Sequence, residues 1–204
     1  MQMSMLAART QVPVATIKYY LREGLLHPGL SRGATRADYD ESHVDRVHLI
    51  RTLVTVGHLS IERVRLVVAA LEHPPRTRHE LLGTAHAVLQ PTPPPPPTDD
   101  EKELAGSIVA LLGWPISADS AAARQLAAAV SAARAGGWAC PDDMLVKWGG
   151  LARSIAEVDV ADELATMPPA DALQHAIVGT VLTDPILVAM RRLAQEAVSA
   201  ERLA

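Results

Sequence analysis

Thr16, Lys18, Tyr19 and Arg22 put a hydroxyl, two positive charges and an aromatic ring into one short stretch. Groups of this kind suit hydrogen bonds to phosphates and base edges. Val14, Ile17 and Leu21 are interleaved with them at i, i+3 and i+7, which predicts one apolar stripe on an amphipathic helix. Pro13 stands where a first helical residue tolerates a missing N–H, and Gly24 stands where the helix should stop. The apolar segment Met5-Leu6-Ala7-Ala8 lies a few residues upstream. Two short helices joined by a tight turn, the second polar and basic, predict a helix-turn-helix.

The next residues extend the pattern. Leu25-Leu26 lead into a Gly-, Ser- and Arg-containing hairpin-like segment at 27–39. Asp40-Glu41-Ser42 signals a helix start, and an apolar-periodic run covers 44–56. Gly57 punctuates it, Ser60 restarts it as an N-cap, and a further amphipathic run reaches Leu71. This order resembles the N-terminal domain of the MerR family of transcription regulators. The resemblance rests on Leu6-Ala7, on Val14 through Tyr20, on Glu23-Gly24-Leu25-Leu26, on Arg36 with Tyr39-Asp40, and on Gly57 with Leu59-Ser60-Ile61-Glu62. It covers roughly residues 3–72. Two residues depart from it: Thr35 replaces the usual aromatic before the wing arginine, and Leu21 a commonly charged residue. The resemblance implies DNA contacts from Thr16, Lys18, Tyr19, Tyr20 and Arg22 on the recognition helix. It also implies contacts from Arg32, Arg36 and Tyr39 on the wing.

Charge agrees with this division. Residues 1–90 hold 11 Lys and Arg against 8 Asp and Glu, whereas residues 91–204 hold 8 against 15. A mildly basic front suits phosphate contact and an acidic back does not. Abundant Ala and Leu and the absence of Phe favour helix over sheet. No run approaches ~20 consecutive apolar residues, so no transmembrane span is expected. No basic-then-apolar leader is evident, and a cytoplasmic bacterial protein is the simple expectation. Cys140 is the single cysteine, which excludes an intrachain disulfide and a thiolate cluster.

Residues 91–98 carry six prolines in eight positions, which neither a helix interior nor a central strand accepts. They predict an extended spacer of ~25 Å at about 3.1 Å per residue. Before it, residues 76–90 carry Leu81, Ala85 and Val88 at i, i+4 and i+7. MerR-type regulators dimerise through a helix at this position, so this is read as a shortened dimerisation helix; packing on its own domain is the alternative. His79 and His86 share a face but lie ~10 Å apart along the axis, too far for one ion, and no metal site is expected.

Helical runs fill the rest. One begins at Asp99-Asp100-Glu101 and ends at Gly113, and another runs from Ser120 to Gly136. A third starts at Asp142, with a break possible at Gly149-Gly150. A fourth lies at 169–180, and a fifth is capped by Thr183-Asp184-Pro185. Trp114, Trp138 and Trp148 are the only aromatic residues of this half. They belong either to its core or to a pocket for an apolar or aromatic effector.

No catalytic constellation is present: no Gly-rich phosphate loop, no His-Glu-x-x-His, no nucleophile elbow. The protein is therefore read as no enzyme and as needing no cofactor. The expected fold is all-α with a small β wing. It comprises a winged helix-turn-helix at 1–72, a dimerisation and linker helix at 73–90, a proline linker at 91–98 and an α-helical effector-sensing domain at 99–204. By the resemblance it is a homodimeric transcription regulator that distorts a double-stranded DNA operator beside RNA polymerase, in response to a small organic effector and without a membrane. The rival expectation is a protein that sequesters a drug or toxin and binds DNA only to regulate itself.

Overall fold

A computed structural model describes residues 1–31, 37–75, 77–89, 98–160, 164 and 166–203, with the backbone alone at 78 and 79. The wing tip with Arg32 and Arg36 and the proline linker lie outside the described residues. The described chain is helical apart from one two-stranded antiparallel hairpin. It divides into two units, Met1–His73 with Gln174–Ala204, and Pro74–Leu173.

In the first unit α1 (Met3–Thr10) ends on Gln11, which takes the left-handed conformation at φ 54°. Pro13 is the N-cap of α2 (Val14–Arg22), and Gly24, at φ 71°, turns the chain after it. Strands β1 (Leu30–Ser31) and β2 (Ala37–Asp38) pair with Leu30 opposite Asp38 and Ser31 opposite Ala37. Asp40 caps α3 (Glu41–Thr55), and Ser60 caps α4 (Ile61–Glu72) by accepting from the Arg63 N–H. Leu6, Ile17, Leu25, Leu26, Val47, Ile50, Leu53, Val64 and Val67 form the core of this unit. Apart from Leu25 and Leu26, which lie in the turn after α2, these are the apolar-periodic positions of each helix, so burial of one face per helix sets the packing of α1 on α2 and α3, and of α3 on α4.

The second unit packs α6 (Asp99–Leu112) on α7 (Ala121–Ala135) and on α8 (Asp142–Asp159). Ala105, Ile108, Ala127, Val130, Cys140 and Leu145 make its core. Thr98 and Glu101 form a capping box at the start of α6, Gly113 closes it at φ 65°, and Ser120 caps α7. Helix α8 runs unbroken through Gly149-Gly150. Gly149 is buried, and a Cβ there would come 2.4 Å from Leu112 Cδ2, so the glycine serves close approach to α6 instead of ending α8.

Two expectations change. Helix α5 (Arg78–Leu89) packs on α7, and Leu81 and Ala85 are buried within the chain. The cover that their stripe needs comes from the same polypeptide, not from a second copy. The C-terminal region is one helix, α9 (Pro169–Leu203), with Pro185 inside it. An interior proline costs about 3 kcal/mol, but apolar positions continue on both sides of it. Ala176, Ile177 and Val181 are buried in the first unit, and a Cβ on Gly57 would lie 3.1 Å from Val181 Cγ1. By contacts within the chain, 74–89 goes with the helical unit, and 174–203 with the helix-turn-helix. An 18-residue stretch of α9 has a mean hydropathy of 1.4. By length and composition alone it is apolar enough to cross a membrane, a test that core helices of soluble proteins also pass.

Candidate nucleic-acid interface

Burial separates the candidate residues of α2. Ile17 is fully buried, and Tyr20 is 7 % exposed, so both anchor the helix. Lys18 and Arg22 are exposed, while Thr16 and Tyr19 are half-buried beside them. The Arg22 guanidinium lies 5.2 Å from the Tyr19 ring centroid and 3.6 Å from Glu23. Glu23 also pairs with Arg65 at 3.2 Å, tying the end of α2 to α4. One side of α2 is thus fixed by core contacts and the other offers two cations, a hydroxyl and the edge of a ring.

Tyr39 is also 7 % exposed, so neither it nor Tyr20 offers a free phenol ring. Burial pushes both phenols above their ordinary pKa. Tyr39 instead fixes the root of the wing. Its N–H donates to the Met1 carbonyl at 2.8 Å, and its carbonyl accepts from the Met1 ammonium. Gly29 is required opposite, because a Cβ there would sit 2.7 Å from the Asp38 carbonyl oxygen. Arg9 forms a two-bond ion pair with Glu41, and Arg51 donates to the Thr10 carbonyl, so α1 is clamped to α3 beside this root.

The root also holds a set of polar groups that sequence reasoning did not single out. Asp40 is the N-cap of α3 and His43 occupies its N3 position, where a capping box commonly has Glu or Gln. His43 Nδ1 lies 2.7 Å from Asp40 Oδ1 and 3.1 Å from the Asp40 backbone N. The His27 ring rests on His43 at 3.9 Å between centroids, and Tyr39 meets His43 edge-on at 5.1 Å. His27 Nε2 and Asp40 Oδ1 both bond the Ser42 hydroxyl, at 3.0 and 2.6 Å. The Ser42 hydroxyl, then His43, hold the Asp40 carboxyl far below the usual carboxylate range. Burial, then the nearby His43 and Arg46, lower His27. The only sequence signal was the Asp40–His43 spacing; the arrival of His27 is a product of the turn after Leu26.

In the second unit the tryptophans are not core residues. Trp138 and Trp148 are 49 % and 38 % exposed, and their rings pack at 5.6 Å between centroids, tilted by 51°. Trp114 is half-buried, and its Cζ2 would lie 3.7 Å from a Cβ on Gly149, the residue after Trp148. The loops after α6 and α7 and the middle of α8 thus present indoles close together. Arg134 and Asp142 pair at 3.8 Å, and Lys147 and Asp143 at 3.3 Å.

Residues 1–71 match the family described as "MerR HTH family regulatory protein". The whole chain is similar to SCO5550 of Streptomyces coelicolor A3(2), a protein with a crystal structure and assigned as a transcriptional regulator. The identity is 32 %, the TM-score is 0.68, and the match covers 99 % of this chain and 97 % of that one. No curated protein matches.

Proposed function

Because the chain belongs to the MerR family of helix-turn-helix transcription regulators, we propose that it acts as a homodimer on a two-fold related duplex operator. It distorts the DNA between promoter elements for RNA polymerase, and a small organic effector bound by the helical unit changes that distortion. DNA binding itself follows from the family. The observation that carries the contact assignment is the division of α2: Ile17 and Tyr20 are locked into the core, while Lys18 and Arg22 stand in solvent. Lys18, Arg22, Thr16 and Tyr19 make the contacts on that face, with Arg32 and Arg36 reaching phosphates from the wing. Tyr20 and Tyr39 act by holding the helix and the wing root. A gel-shift titration of the intact protein on duplex DNA tests the reading; no binding at low salt refutes it.

The exposed face of α9 supports a dimer seam there. Leu182, Ile186, Met190 and Leu193 are 43–68 % exposed and recur at helical spacing, continued by Ala197. From Val188 to the end of the described helix every residue is exposed, a length of ~24 Å at about 1.5 Å per residue. Arg191, Arg192, Glu196, Glu201 and Arg202 lie within this stretch, and five charges are costly in a bilayer interior. The occupant is a second copy of the same helix. Arg192 and Glu196, one turn apart, share a flank of the stripe. An antiparallel pair sets Arg192 against Glu196 of the partner subunit, and such opposite-charge flanks select orientation.

The effector is proposed to lie against Trp138 and Trp148, with Trp114 beside them. Two exposed indoles in contact offer a flat apolar surface that an aromatic or cationic organic molecule stacks on. The same pair would serve a sequestration protein. The two readings part on transcription: a sequestering protein controls only its own gene.

A further inference from the structure

We propose that His27, Asp40 and His43 form a binding site for a divalent transition cation of the zinc, cobalt and nickel class at the root of the wing. Each residue offers one ligand atom, and these atoms all lie within 4.8 Å of one another. Bonds of ~2.0–2.2 Å from nitrogen and carboxylate oxygen to such a cation put its ligand atoms at most about 4.4 Å apart, so a small side-chain adjustment brings the three onto one ion. The cluster is built from two places in the chain. Asp40 and His43 are held in register by the first turn of α3, and His27 is brought to them from the segment after α2 by its stack on the His43 ring.

The hydrogen bonding of His43 supports the site independently. This side chain is 3 % exposed, so its ring nitrogens sit in a buried setting. Its Nδ1 faces the Asp40 backbone N–H, which needs a lone pair, and the Asp40 carboxylate, which needs a proton. One nitrogen cannot meet both demands. Whichever tautomer forms, His43 keeps a mismatched polar position in a buried setting, which is costly. A cation accepts lone pairs from imidazole and carboxylate together and removes that conflict with the carboxylate.

The donor set decides the class of ion. Two imidazoles and one carboxylate suit borderline divalent ions with open positions left for water, and the set contains no thiolate to favour a softer one. His27 and Asp40 are exposed, which leaves an entry path. Arg46 and Glu72, the other charges that His27 feels, oppose each other in sign. A bound ion would tie the exit of the recognition helix to the strand leaving the wing, so it would set how firmly the wing is held.

The test uses the full-length protein stripped of metal with a chelator. Co²⁺ is titrated while its visible d–d absorption is followed, and Zn²⁺ is then added as competitor. The expected result is a band saturating at one Co²⁺ per chain and abolished by Zn²⁺. His27→Gln changes an exposed side chain, and Asp40→Asn keeps a capping residue, so both variants should fold, as circular dichroism would verify. Each should weaken Co²⁺ binding by more than about tenfold, the loss that removal of even an outer partner of a metal ligand can bring. No d–d band, or a band of unchanged affinity in both variants, overturns the proposal. Neither result bears on duplex binding by α2, which the gel shift reads separately.

Discussion

Leu193→Asp puts a charge into the middle of the exposed stripe on α9. Leu193 is 68 % exposed in the single chain, so pairing with a second copy can cover about two-thirds of it. Full burial of a leucine side chain contributes about 1.5–3 kcal/mol, which makes this share ~1–2 kcal/mol. A two-fold seam loses it twice, for roughly 2–4 kcal/mol. At 1.4 kcal/mol per tenfold, the dimer Kd should rise about 30- to 700-fold. Sedimentation equilibrium across a range of protein concentrations measures this directly. Thermal unfolding of the monomer should change little, because Leu193 is mostly exposed in its own chain. Leu81→Asp is the contrast: at 4 % exposure its leucine is in the interior, and the substitution should destabilise the helical unit by at least the 2–5 kcal/mol typical of a leucine truncation. A Leu193→Asp protein as dimeric as the wild type would refute the seam on α9.

Lys18→Ala should weaken duplex binding by about 1–3 kcal/mol and relax specificity if the lysine reads a base. If it grips only phosphate, gel shifts should show the same loss on every sequence and a salt slope reduced by about 0.9. Gly57→Ala should destabilise the helix-turn-helix unit by roughly 1–3 kcal/mol in thermal unfolding, because the new methyl would meet the Leu53 carbonyl oxygen at 2.7 Å as well as Val181. Acrylamide should quench much of the tryptophan emission, since two of three indoles are exposed, and a true effector should protect them. An effector that alters transcription without protecting any indole, and whose affinity survives each Trp→Leu change, would remove the tryptophan site.

Local chemistry was legible in the sequence. Pro13 and Gly24 bracket α2, Ser60 and Ser120 cap their helices, and Gly113 ends α6, because each acts on backbone within a turn of itself. What failed was decided at a distance. Thr183-Asp184-Pro185 reads as a helix start, yet the apolar positions flanking it keep α9 continuous. Leu81 and Ala85 read as a seam, because nothing near them in sequence forecasts that α7 covers them. Tyr20 and Tyr39 carry a polar tip on an apolar ring, so their type is compatible with contact or with core; only the fold assigns them to the core. His27 and His43 are separated by the whole wing, and no periodicity joins them.

The uncovered end of α9 has a consequence for dosage. A lone chain displays a run of bare aliphatic side chains that proteases and chaperones can recognise, so unpaired copies should be short-lived. If pairing also precedes operator binding, occupancy rises with roughly the square of the free chain concentration at low abundance. Clearance of unpaired copies sharpens that response further. A promoter governed in this way would stay silent to small fluctuations in synthesis and respond once supply crosses the pairing threshold.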